Sequence, residues 1–194
     1  MAAIVDKTPM TLDEFLALPD DGVERDLING VVRVWSKPGE DPMARRNRFH
    51  SSVLSRLAKL IENWIDTQPP PRGGVFVGEV GCILRPGDNG VGIDVAYLSP
   101  ARLAEQSDRT TMIDGPPTLA AEVLSPSNSQ EEIDTKVKAY LKAGVPIVWV
   151  VHPTFRTVTV YRPDGLPIMV NESGELTAEP QLPGFRCRVS DLFR

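Results

Sequence analysis

The chain has 194 residues, a formal net charge of −5 and a pI near 5.1. This length suits a single domain over residues 1–194, and a composition of 41% hydrophobic and 24% charged residues is typical of soluble globular proteins. The acidic balance argues against a protein that coats nucleic acid through bulk positive charge. It does not exclude a nuclease, because a metal-binding carboxylate cluster is itself acidic.

The sequence predicts neither a disulfide framework nor a membrane segment. Cys82 and Cys187 are the only cysteines, and their spacing fits no zinc motif, so both are expected to be reduced thiols. The N-terminal segment MAAIVDKTPM lacks the pattern of a signal peptide, and no apolar run is long enough to span a bilayer. We therefore expect a cytoplasmic protein.

The N-terminal part of the chain predicts a short helix, a hairpin and a long helix. Thr11 and Glu14 have the spacing of a capping box that opens the helix TLDEFLAL. The segment ERDLINGVVRVW predicts two strands joined by a tight turn at Asn29-Gly30. From Ala44 to Ile65, apolar residues recur at helical spacing and predict an amphipathic helix with one buried stripe.

Five basic residues cluster just before and along this long helix: Arg45, Arg46, Arg48, Arg56 and Lys59. They form a local exception to the acidic balance of the chain. The simplest interpretation is a solvated helix face, since runs of charge usually have that role.

The middle of the chain predicts paired strands. The run TQPPPRGG is a rigid break, and VFVGEVGCILRPGDNGVGIDVAYLSP then predicts a strand, a Gly/Asp turn and a second strand. We expect a short helix in ARLAEQS and a loop in TMIDGPP. The apolar segment PTLAAEVLS predicts a strand covered on both faces.

The remaining elements complete a mixed architecture. Gln130 to Lys142 predicts a helix closed by Gly144, and VPIVWVV predicts another buried strand. FRTVTVYRPDG adds an alternating strand and a turn, and short β segments follow to Arg194. The fold class is therefore α/β, with a central mixed sheet flanked by helices and an additional C-terminal β region.

Three residues suggest metal-dependent chemistry: Asp94 and Glu122 in apolar strands, and Lys136 on the helix that follows. Carboxylates on neighbouring strands can converge on Mg²⁺, and a bound ion activates water and neutralises charge on a phosphoryl transition state. Lys136 could orient the water, stabilise the anion or, if burial lowered its pKa, act as a base. The alternatives are purely structural roles: a strand-end carboxylate for Asp94 and a buried ion pair between Glu122 and Lys136. Paired buried acids are costly without a purpose, which favours the functional interpretation.

The two histidines carry little signal by spacing alone. His50 lies at the start of the long helix, where a surface histidine is the simpler expectation, and His152 is expected in a loop before Pro153.

Other chemistries find little or no support in the sequence. Ser125 and Ser127 flank a proline, but no GxSxG elbow surrounds either, so a serine hydrolase is disfavoured. Neither a P-loop nor a GxGxxG fingerprint is present.

Further acids near the predicted strand edges are Glu24, Asp26 and Glu79.

The chain as a whole resembles the Uma-type restriction endonucleases, a bacterial family within the PD-(D/E)XK nuclease superfamily. The resemblance runs from MTLDEFLALP to FRCRVSDLF. Its most specific segments are RDLINGVV, the helix-opening His50, GIDVAYLS, AEVLSPSNS and KVKAYLKAGVPIVWVVHP.

The resemblance implies a restriction-endonuclease-like fold and a set of site residues. Asp94 matches the first metal-binding aspartate of the family and Glu122 the second acid. Lys136 matches a lysine that in this family lies on the following helix. Asp26 matches an N-terminal acid that completes the metal shell. His50 matches a recurrent histidine, to which the resemblance assigns no role.

The sequence departs from the family pattern at several positions. Leu124 stands where the ExK pattern would place lysine, and Ile93 replaces the usual proline before the aspartate. Asp26 replaces a glutamate, and Asn29 stands where aspartate is common. These departures bear more on the N-terminal acid than on Asp94, Glu122 and Lys136.

The sequence thus predicts a Mg²⁺-dependent endonuclease, with Mn²⁺ as a possible substitute, that hydrolyses DNA phosphodiester bonds as a homodimer. The alternative is a non-catalytic DNA-binding or assembly module that keeps the nuclease fold. A third interpretation is a structural dimer in which Glu122 and Lys136 form only a buried ion pair. Fold alone does not decide among these functions.

Overall fold

The computed structural model describes residues 3–4, 9–19, 21, 23–34, 48–85, 89–108, 110–125 and 128–194. The described helices are α1 (Leu12–Leu16), α2 (Arg48–Thr67), α3 (Pro100–Ala104) and α4 (Gln130–Lys142). The described strands are β1 (Ala3–Ile4), β2 (Arg25–Ile28), β3 (Val31–Val34), β4 (Gly74–Leu84), β5 (Asn89–Leu98), β6 (Ile113–Asp114), β7 (Leu119–Val123), β8 (Val148–His152), β9 (Thr157–Tyr161), β10 (Ile168–Asn171), β11 (Glu175–Thr177) and β12 (Arg186–Arg188). A 3-10 helix spans Val189–Phe193.

A large mixed sheet organises the described part of the chain. Its strands follow the order β1-β3-β2-β5-β7-β8-β9-β10, with β4 paired to β5 and β6 paired to β4, while β11 and β12 form a separate pair. Strands β7 and β8 run parallel because α4 connects them as a crossover, and most other pairs are antiparallel. The predicted central mixed sheet with a C-terminal β region is confirmed.

The two longest helices cover opposite faces of this sheet. Strand β7 is buried on both faces, as its uninterrupted apolar sequence predicts. Its Ala121 and Val123 pack with the apolar stripe of α2, whereas Ala120 packs with the apolar side chains of α4. Alternate residues of one central strand therefore face different helices. The α2 stripe consists of Val53, Leu57, Ile61 and Ile65, and the α4 stripe of Ile133, Val137 and Tyr140.

Local sequence signals set the bounds of several elements. Thr11 and Glu14 form the predicted capping box of α1. The hairpin turns at Asn29 and Gly30, whose φ values of 52° and 75° are those that a type I′ turn requires. Helix α4 spans the predicted residues, and Gly144 follows it with a φ of 92°.

The structure also corrects parts of the prediction. The segment TMIDGPP is not wholly a loop, because β6 pairs there with β4. His152 is the last residue of β8 and pairs with Thr157, so its placement in a loop was wrong. Residues 44–47 of the predicted long helix, together with Arg45 and Arg46, lie outside the described residues, as do residues 86–88 of the predicted Gly/Asp turn.

Both cysteines are buried free thiols. None of the described helices has the length and apolar character needed to cross a membrane.

Candidate active site

The candidate site lies where one edge of β5 changes its partner. Along its other edge, β5 pairs with β4 over its whole length except opposite Asp94, where the register shifts. On the site edge, β2 pairs with β5 only at Gly90, and β7 pairs with it only from Val95 to Tyr97. Among the described residues, the backbone of residues 91–94 therefore has no strand partner on this edge, and its polar groups need other partners.

Side chains satisfy the backbone of Gly92 in this gap. Its N–H donates to Asp26 Oδ1 of β2 at 2.8 Å. Its carbonyl oxygen accepts a hydrogen bond from Lys136 Nζ at 2.9 Å and lies 3.4 Å from Tyr140 Oη, and both of these residues are on α4. One peptide segment thus connects an acid, a lysine and a tyrosine from separate elements.

Helix α4 positions the lysine and the tyrosine together. Ser129 caps the helix in a capping box with Glu132, which fixes where the helix begins. Lys136 and Tyr140 are four residues apart, so they share one face of the helix. That face is turned toward β7 and β5.

Glu122 is held at both carboxylate oxygens by α4. It lies in β7 with 5% of its surface exposed. Lys136 Nζ donates to Oε2 at 3.1 Å, and Tyr140 Oη donates to Oε1 at 2.5 Å. Lys136 also lies 3.8 Å from Asp26 Oδ2. The predicted Glu122–Lys136 pair is therefore present, within a larger cluster that includes Asp26.

Asp94 is the last residue of the unpaired segment of β5, and its side chain bonds to β7. The β5–β7 ladder ends at the pair Val95 and Ala121, and Asp94 and Glu122 are the next residues of the two strands. The two acids are close enough for the charge of Asp94 to raise the pKa of Glu122. The next amide along β7, that of Val123, donates to Asp94 Oδ2 at 2.8 Å. The two acids predicted to converge do lie on neighbouring strands.

His50 contacts this carboxylate, contrary to the expectation of a surface histidine. It is 7% exposed, and its Nε2 lies 3.2 Å from Asp94 Oδ2. Its Nδ1 is buried and has no hydrogen-bond partner among the described residues. The N-terminal turn of α2 therefore belongs to the site.

Burial and charge shift the pKa values of the clustered groups. Burial raises the pKa of Glu122, and the opposing effect of Lys136 does not reverse this. Burial also raises the pKa of Asp94, but His50 and the Val123 amide outweigh it, and the net shift is downward. Burial disfavours charge on Lys136, yet Glu122, Asp26 and Glu79 together raise its pKa well above the usual range. Lys136 is therefore an ammonium group.

The acids present the oxygen donors that a hard cation prefers. Within the described residues, no three carboxylate, imidazole or thiolate groups lie close enough to form a metal site on their own. Mg²⁺, however, usually takes one or two protein carboxylates and completes its shell with water and substrate phosphate. The neighbouring pair Asp94 and Glu122 fits that requirement.

Three contributors to the site were not singled out from the sequence. Tyr140 follows Lys136 by one helical turn, and this spacing is the signal that could have revealed it. Gly92 acts through its backbone, which no residue pattern indicates. Glu79 was noted only as an acid near a strand edge.

Other candidate residues take no part in the described site. Ser125 bonds to Asn128 in the loop before α4, and Ser127 lies outside the described residues. His152 is half-buried beside Phe155, and burial lowers its pKa.

A family model described as "putative restriction endonuclease", Uma2, matches residues 12–190. The chain belongs to the Uma2 family. This match spans every element that contributes to the site, from β2 to α4. The resemblance expected from the sequence is confirmed at the level of the family.

A solved structure supports the fold of this Uma2 protein. It is the crystal structure of a putative nuclease of the DUF820 family from Anabaena variabilis, with a TM-score of 0.77 and 24% sequence identity. The match covers 95% of this chain and 98% of that chain. No curated protein matches the sequence significantly.

Proposed function

We propose that this Uma2-family protein is a metal-dependent endonuclease that hydrolyses DNA phosphodiester bonds. The observation that carries the proposal is the convergence of two buried carboxylates and one largely buried ammonium group at the gap in β5 pairing. Restriction-endonuclease-like families generally use a divalent metal. We assign Mg²⁺ to this site, with Mn²⁺ as a substitute.

In this proposal Asp94 and Glu122 hold the cation. When bound, a divalent cation lowers the pKa of water and neutralises charge on the phosphate. Asp94, Glu122 and Asp26 outnumber the single ammonium group of Lys136, and buried acids are costly without enough compensating positive charge. This is the physical reason to expect a further cation there. Tyr140 and Lys136 restrict the Glu122 carboxylate, and His50 restricts that of Asp94.

Lys136 acts in this scheme as a cation and a hydrogen-bond donor. A base would need a lowered pKa, whereas the surrounding carboxylates raise it. As an ammonium group, Lys136 can orient the attacking water and stabilise a phosphate oxygen that gains negative charge. Asp26 supports it by accepting a hydrogen bond from the N–H of Gly92, the residue whose carbonyl oxygen binds Lys136.

A basic side chain near the site suits a phosphate backbone. Arg48 of α2 is exposed, and its guanidinium lies over the ring of Phe49 at 4.7 Å. Arg48 is two residues from His50, which contacts Asp94. DNA phosphates approaching the N-terminal turn of α2 would therefore come close to the carboxylates.

Simultaneous cleavage of both strands of a duplex needs two such sites, and we propose a homodimer for that reason. Light scattering of the purified protein tests this directly. A monomer at working concentration would restrict the proposal to cleavage of one strand at a time.

Cleavage of supercoiled plasmid DNA tests the function. We expect nicking with Mg²⁺ or Mn²⁺ and none with EDTA. Asp94→Asn keeps the shape of the side chain and should reduce the rate by at least about 100-fold, because loss of a metal ligand exceeds the usual effect of an outer partner. The matched control is Asp164→Asn, at an exposed turn position, which should cleave like wild type.

The alternative, a non-catalytic DNA-binding or assembly module, predicts a different outcome. Such a module would leave plasmid, single-stranded DNA and RNA uncut at any metal concentration. Equal rates for Asp94→Asn and wild type would remove Asp94 from the mechanism and attribute the cleavage to a contaminant.

A further inference from the structure

A β-bulge lies directly opposite Asp94. In the β4–β5 ladder, Val77 pairs with Val95 and Val80 pairs with Ile93. Two residues of β4, Gly78 and Glu79, therefore stand opposite the single residue Asp94. Bulges bend a strand and redirect a side chain, and they are common beside active sites.

The bulge places Glu79 in an unfavourable backbone conformation. Gly78 and Glu79 have φ values of 92° and 57°. Glycine adopts such values freely, but a glutamate there is destabilising. The two other described residues of this kind, Asn29 and Arg156, lie in hairpin turns, whereas Glu79 lies inside a strand. Strain of this sort persists where the surroundings require the side chain.

The bulge delivers the Glu79 side chain to the Gly92 segment. A β-carbon added at Gly92 would lie 3.5 Å from Glu79 Cβ and 3.6 Å from Glu79 Oε2. Glu79 therefore covers the α-carbon of the residue that binds Asp26 through its N–H and Lys136 through its carbonyl. Its charge also contributes to the raised pKa of Lys136.

We propose that Glu79 is a positioning residue of the candidate active site, which holds the Gly92 segment and attracts the Lys136 ammonium group. The proposal rests on the proposed nuclease function. Glu122 would bind both the Lys136 ammonium group and the metal cation. Asp26 and Glu79 would then be the acids that keep Lys136 in place. Glu79 does so from the strained bulge of β4.

Glu79→Gly separates a functional role from a structural one. Glycine relieves the φ strain, so this variant should melt at a higher temperature than wild type. It should nevertheless cleave more slowly, with kcat reduced about tenfold and KM within about twofold, as for loss of an outer partner in a metal site. Glu79→Gln keeps the strain and removes the charge, and it should show the same loss of kcat. Glu79→Asp should recover part of it.

Arg156→Gly is the matched control, because it relieves a φ of 51° in the turn between β8 and β9. It should leave kcat unchanged. A kcat for Glu79→Gly and Glu79→Gln equal to that of wild type would overturn the proposal, whatever the melting temperatures.

A stability cycle without metal distinguishes this proposal from the proposed function. Urea unfolding of Glu79→Gln, Lys136→Met and the double variant should show non-additive effects if, as proposed, Glu79 attracts the Lys136 ammonium group. If wild type cleaves no nucleic acid, the nuclease function fails, and the stability cycle alone then tests whether Glu79 positions Lys136. Additive effects in that cycle would overturn the proposal for Glu79.

Discussion

Removal of Lys136 tests the electrostatics of the site in the absence of any substrate. Its side chain is 11% exposed, and its Nζ lies 3.1 Å from a Glu122 oxygen and 3.8 Å from an Asp26 oxygen. Lys136→Met keeps an unbranched side chain that is one atom shorter, but leaves two buried carboxylates without their cation. Breaking a buried pair from one side costs about 3–5 kcal/mol. In a chain of this size that corresponds to a fall in Tm of roughly 6–20 °C.

Urea unfolding followed by tryptophan fluorescence measures this loss. Lys138→Met is the matched control, since Lys138 is exposed on the same helix and its replacement should change stability by less than about 0.5 kcal/mol. Equal stabilities of the two variants would refute the account of Lys136 as the charge that stabilises the acids.

Divalent metal should reduce the defect of Lys136→Met. The acids that have lost the ammonium group still offer oxygen donors, and an ion that binds only the folded state stabilises it. Mn²⁺ should therefore raise the unfolding midpoint of Lys136→Met. Unchanged midpoints in that variant at millimolar Mn²⁺ would indicate that the cluster does not bind cations.

Two other predictions concern the scaffold. Gly73→Ala should destabilise the protein by about 1–3 kcal/mol, because the added carbon would lie 2.2 Å from a backbone oxygen of β5, whereas Gly165→Ala meets no atom within 4 Å and should be neutral in the same urea assay. Burial raises the pKa of Cys82 and Cys187 to about 12, so a thiol reagent at pH 8 should label neither until urea unfolds the chain. Rapid labelling of the native protein would contradict the placement of these thiols in the core.

Much of the fold follows from local signals in the sequence. The capping boxes at Thr11 and Ser129 and the Asn29-Gly30 turn act within a few residues, so the sequence alone determines where these elements begin or turn. Strand β6 escaped prediction because it has two residues and forms only where β4 offers an edge. His152 was misplaced for a related reason, since its strand continues to pair one residue beyond the apolar run.

The sequence predicted only part of the site, and the reason for this is physical. Acids in apolar strands signal a purpose because burial is costly, and this signal revealed Asp94 and Glu122. The burial of His50 depends on how α2 packs over β5, which spacing along one helix does not encode. Glu79 depends on the bulge in β4, and such an irregularity arises from pairing between strands.

Calorimetric titration of Mn²⁺ into the metal-free protein tests the central claim most directly. Wild type should bind the ion at a saturable site, and Asp94→Asn should bind it at least about tenfold more weakly, with Asp164→Asn unchanged. Identical binding curves for Asp94→Asn and wild type would contradict the account, because the ion would then be held somewhere other than the gap beside Gly92.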